Sequence, residues 1–113
     1  MQISLGKLAE QKHYSDSNAP LVVTAAAKTL DVGDTSVLCD TTSNAVAIKL
    51  PPVGEAKGRI YGISCSVRPG SNDITVNDYG DETTQDAVTL NAVGETAKFY
   101  SDGNRWADFT ESV

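Results

Sequence analysis

One histidine, two cysteines and one acidic run are the natural starting points for any chemistry in this chain. His13 is followed by Ser15 and Asp16, but a nucleophile and its base need a third group to hold their geometry. A segment this poor in apolar anchors supplies none, so a solvated histidine is expected. Asp73, Asp78, Asp81, Glu82 and Asp86 form the densest acidic region. Hard oxygen ligands on a turn suit calcium, yet the spacing lacks the twelve-residue loop pattern with its closing Glu. It also lacks the apolar wall that would raise one carboxyl for glycoside hydrolysis. Cys39 and Cys65 lie in VLCD and ISCS and belong to no CxxC, which argues against structural zinc or a redox pair. Small buried free thiols are expected of them. Neither GxGxxG nor GxxxxGK[ST] occurs. The residues therefore predict no enzyme, no cofactor and no metal.

The elements around these residues are short strands. In residues 45–66, AVAIKLPPVGEAKGRIYGISCS, Val46, Ile48 and Leu50 alternate with Ala45, Ala47 and Lys49, the period of a half-buried strand. Pro51 and Pro52 end it, because neither can donate to a ladder and both fix φ. A small loop and Gly58 lead into the next strand. The remaining pattern places strands at 21–26, 28–32, 35–39, 59–67, 73–77, 87–91, 95–101 and 105–109. Turn residues separate them: Gly33-Asp34, residues 40–44, residues 68–72, residues 92–94, and Asp102-Gly103, which accepts the positive φ of a hairpin. Many short strands with turns between them predict an all-β fold, a small antiparallel β-sandwich or jelly-roll-like barrel. Residues 1–20 read as an N-terminal arm and 21–113 as the β domain.

A chain of 113 residues is one domain and buries about 65% of its unfolded surface. Its net charge of −6 and scattered basic residues exclude the clustered Lys and Arg that phosphate backbones require. No apolar run reaches the ~20 residues of a membrane span, and the first residues lack a signal-peptide core. No nucleic acid or membrane partner is expected, and synthesis in the cytoplasm is. In the arm, Ile3, Leu5 and Leu8 are the strongly apolar side chains before Tyr14. They suit either a frayed terminus or anchors that order against a neighbouring subunit. Near the other end, Trp106 adjoins Phe99 and Tyr100. Core packing is the economical reading, and an exposed platform for sugars or partners is the other.

The order of features resembles a known group. LPP (50–52), EAKGRIY (55–61), DITV (73–76), a Thr89-Leu90 pair and YSDGNRW (100–106) follow one another as in small β-rich virion proteins of tailed bacteriophages. That group includes capsid decoration (cement) proteins, head fibres and tail-fibre segments. The resemblance covers residues 21–109. It implies a structural protein, commonly a homotrimer, on the capsid exterior, where it clamps major capsid protein subunits. The capsid-contact candidates are then Ile3, Leu5 and Leu8. The alternative is a head-fibre or tail-fibre-like module binding host surface glycans, for which Tyr79, Tyr100 and Trp106 are the candidates.

Overall fold

The computed structural model describes residues 19–80 and 87–109. Among them are nine strands and no helix: β1 (Leu21–Val23), β2 (Ala27–Thr29), β3 (Ser36–Asp40), β4 (Val46–Lys49), β5 (Ile60–Val67), β6 (Ile74–Asn77), β7 (Val88–Leu90), β8 (Thr96–Ser101) and β9 (Trp106–Asp108). The fold is all-β, in two sheets of order β1-β3-β5-β8-β9 and β2-β4-β6-β7.

The chain reaches this arrangement by winding. From β1 to β6 successive strands alternate between the sheets, so each pair of strands makes one coil. Each coil lays its two strands parallel to those of the coil before: β1 with β3, β3 with β5, β2 with β4, and β4 with β6. Only the C-terminal part reverses. β7 runs antiparallel to β6, β8 to β5, and β9 to β8. The antiparallel sandwich or jelly-roll connectivity expected from the sequence is thus corrected for the first six strands. Two-residue periodicity says which side chains face inward but carries no direction. Short connections suggest hairpins only when both strands stay in one sheet.

Parallel register stacks like positions on like. Leu21, Val37 and Ile63 align across the first sheet, as do Val23, Cys39 and Cys65. Val46, Ile74 and Leu90 align across the second. These inward rows merge into one buried cluster reaching from Val23 to Trp106. Lys28 stands in register with Ile48, which in turn aligns with Val76. It is half-buried, where a long aliphatic stem can cover the end of an apolar row while the ammonium reaches water. The turns behave as their residues dictate. Asp34 Oδ2 accepts from Asp31 N at 2.8 Å, and Asp40 Oδ1 accepts from Thr42 N and Oγ1. Arg68 bridges its own turn, donating from Nε to Asn72 O and from Nη2 to Asp73 Oδ1.

Candidate interaction surface

Three of the motifs named above, LPP, EAKGRIY and YSDGNRW, converge on one interlocked corner, while DITV and Thr89-Leu90 pair with each other in the four-stranded sheet. After β4, Leu50 and Pro51 are buried, and the Pro52 carbonyl accepts from Glu55 N and Ala56 N, both at 3.1 Å. This folds 52–56 into a tight turn that tucks Val53 and Ala56 into the core. The chain leaves through Gly58, whose φ of +82° is open to glycine and strained for other residues. The β8–β9 hairpin closes onto this turn. Ser101, fully buried, donates from Oγ to Val53 O at 2.6 Å and accepts from Gly103 N at 3.1 Å. Gly58 N donates to Ser101 O, and Ser101 N to Arg59 O. Asp102 Oδ1 caps the hairpin by accepting from Asn104 N and Arg105 N, which holds its carboxyl below the usual range. The LPP corner and the YSDGNRW hairpin are therefore two halves of one lock, and their residues act on the backbone.

The aromatic candidates separate. Trp106 is only 4% exposed and packs edge-on against Tyr61, with ring centroids 5.5 Å apart, and against Phe99 at 6.5 Å. It is a core residue, which corrects its place among exposed sugar platforms. Tyr61, silent in the sequence, completes the cluster, and its hydroxyl donates to Val32 O. Tyr100 points the other way, onto the outer face of the five-stranded sheet. Tyr79 follows β6 at the edge of a cleft of about 310 Å³ lined also by Pro51, Pro52, Asp31 and Glu55. Lys49 Nζ stands 5.9 Å from its ring centroid. Tyr79 and Tyr100 thus belong to different surfaces.

That outer face of the five-stranded sheet is the most distinctive surface of the molecule. Strand pairing sets Ile60 beside Tyr100 and Tyr100 beside Ala107. Phe109 N donates to Lys98 O, which places Phe109 one row along. A second row runs Val22, Leu38, Ser64 and Thr96, its last two hydroxyls hydrogen-bonded at 2.8 Å. Ile60 is 56% exposed, Val22 58%, Phe109 46% and Tyr100 38%. Alternation within 95–101 sets Lys98 and Tyr100 opposite Ala97 and Phe99, whereas Ile60-Tyr61 offers two apolar neighbours, and only the register says which one faces water.

The other candidates resolve differently. Ile3, Leu5, Leu8 and His13 lie outside the described residues, as do Asp81, Glu82 and Asp86. Asp73 is paired with Arg68 at 2.9 Å, and Asp78 Oδ1 accepts from Gly80 N, so both serve turns. Cys39 and Cys65 are free, buried and adjacent in register. Burial, with some repulsion from Cys65, pushes the Cys39 thiol up to about 12, and burial also raises Cys65. Such thiols are poor nucleophiles and poor metal ligands at neutral pH. No known protein family, curated protein or solved structure matches the chain.

Proposed function

We propose that this chain is a structural virion protein of a tailed bacteriophage, a homotrimer that binds the capsid exterior and stabilises contacts between major capsid protein subunits. The observation that carries this reading is the lock described above. Three of the motifs that resemble decoration proteins, LPP, EAKGRIY and YSDGNRW, meet in space as one architectural unit, so the likeness concerns the scaffold and not a reactive site. In this reading the paired sheets form a sandwich-like body and residues 1–20 an arm. Ile3, Leu5 and Leu8 anchor that arm to the capsid. Three weak arms on one trimer act together, since the first contact raises the effective concentration of the others. An acidic body with no basic patch is consistent with a protein partner and not with nucleic acid. The protein would be made in the host cytoplasm and end on the capsid surface, without catalysis.

The test is co-sedimentation with capsids lacking the protein. Replacing Ile3, Leu5 and Leu8 together by Asp should abolish binding while leaving far-UV circular dichroism unchanged. Normal occupancy by this variant would remove the arm from the mechanism. Absence of wild-type binding to any capsid form would sink the virion reading.

A second reading, a module for host surface glycans, is favoured by one observation. Tyr79 is 45% exposed beside a cleft holding Asp31 and Glu55, an aromatic face with acceptors for sugar hydroxyls. Chemical-shift titration with neutral oligosaccharides tests it. Shifts at Tyr79 that vanish in Tyr79→Ala support the module, and a silent spectrum rejects it.

A further inference from the structure

We propose that copies of this chain meet through the outer face of the five-stranded sheet, centred on the row Ile60–Tyr100–Ala107. This rests on the trimeric reading above and assigns it a surface. Water-facing sheet faces normally alternate polar side chains with the inward apolar ones. Here the alternation is broken on one sheet only. Of the large exposed apolar side chains that lie within strands, Val22, Ile60, Val67 and Tyr100 all belong to the five-stranded sheet. The outer face of the other sheet carries Ala47, Thr75 and Thr89 in one row and Thr29, Lys49 and Asn77 in the next, small or polar throughout. Contiguous exposed apolar surface marks an interaction site, and only one of the two faces has it.

Charge selects the occupant. A chain of net charge −6 repels its own copies, and like charges brought together across an interface oppose association. A second copy can approach only where carboxylates are few. Asp31, Asp34, Glu55, Asp73, Asp78, Glu95 and Asp102 all lie in connections between strands. Within the strands of the five-stranded sheet there are two carboxylates, Asp40, at the end of β3 and bonded to Thr42 at 2.6 Å, and Asp108, exposed at the edge in β9 and in register with the inward Phe99, not with the Ile60–Tyr100–Ala107 row. Lys98 lies in β8, beside Gly62 of the central strand. Size agrees as well. Five strands about 4.8 Å apart and a central strand rising about 3.3 Å per residue give a face of roughly 20 by 25 Å. With side-chain relief, this is on the order of the ~800 Å² that each partner contributes to a stable interface. Tyr100 is the anchor, a rigid aromatic of the type that dominates interface energetics.

Solution mass by light scattering after size exclusion tests this. Wild-type protein should run near three times 11.9 kDa, and Ile60→Glu/Tyr100→Glu should run as a monomer with its far-UV spectrum retained. Ala107→Glu, on the edge strand, gives the same answer if the double variant misfolds, because Ala107 is exposed and touches no core residue's row. Emission from the buried Trp106 reports that the fold survives. A monomeric wild type, or folded variants of unchanged mass, would overturn the proposal. The two readings fail separately. A trimer dissolved by these variants but indifferent to capsids removes the virion function and keeps the face. A capsid-binding trimer that survives them does the reverse.

Discussion

Ser101 ties together parts of the chain that are 48 residues apart in sequence, through its bond to Val53 O. Its hydroxyl both donates and accepts in a site with no access to solvent, so removing it leaves buried polar groups to find new partners. A lost bond of this kind costs about 1–3 kcal/mol. Ser101→Ala should lower the unfolding free energy by that amount, read as a lower urea midpoint at an unchanged slope. An effect below ~0.5 kcal/mol would mean that the corner is held by packing alone. Trp106 shows how burial decides between two roles for one residue type. Its ring meets Tyr61 and Phe99 edge-on, the geometry preferred by aromatic quadrupoles. Among the described residues this leaves Tyr79, Tyr100 and Phe109 as the exposed aromatics. Ile60 and Tyr100, forty positions apart in sequence, become neighbours only through the antiparallel pairing of β5 and β8.

The double-proline corner is the element that converts a strand of one sheet into a strand of the other. Pro51 and Pro52 act largely on the unfolded chain, whose freedom they restrict, so each Pro→Ala change should cost about 0.4–1 kcal/mol. For a domain of this size the double variant should melt about 5–10 °C lower, with capsid binding and solution mass unchanged. A loss of binding without a loss of stability would make the corner a contact and not a brace. The strands themselves were legible in the sequence. Every observed strand overlaps a segment marked by alternation, and Asp102-Gly103 turns as its residues require, with Gly103 at φ +97°. Boundaries moved by one to three residues: β1 ends at Val23 and not at 26, β2 spans Ala27–Thr29 and not 28–32, β3 runs Ser36–Asp40 and not 35–39, and most later strands are a residue shorter at one or both ends. What alternation could not convey was which strand lies beside which. Val37 and Ile63 face inward in any register, and only the coil that passes through β4 brings them together in parallel. The apolar outer face was illegible for the same reason, since its rows are assembled from all five strands of the sheet.

Winding also makes stability uneven along the molecule. β5 is paired on both sides, with β3 and β8, and β6 likewise with β4 and β7, while β1 and β2 each have one partner strand. Burial follows the same gradient. Between residues 21 and 35 the fully buried apolar side chains are Val23 and Leu30, whereas between 60 and 77 they are Tyr61, Ile63, Cys65, Ile74 and Val76. Each large side chain contributes about 1.5–3 kcal/mol on burial, against about 1–2 kcal/mol of backbone entropy for every residue ordered. The first coil orders nearly as many residues as the β5–β6 coil with fewer than half the buried anchors. In stacked folds of this kind, stability is a sum over neighbouring units, and the end unit has one neighbour. The first coil should therefore open on its own, below the free energy of global unfolding. Native-state hydrogen exchange provides the measurement. Hydrogen-bonded amides of β1 and β2 should exchange through an opening that costs less than that of β5 and depends weakly on denaturant, because little surface is exposed. Amides of β5 should follow the global transition reported by Trp106. Equal opening energies in β1, β2 and β5 would show that the shared core, and not the number of neighbouring strands, sets the cooperative unit.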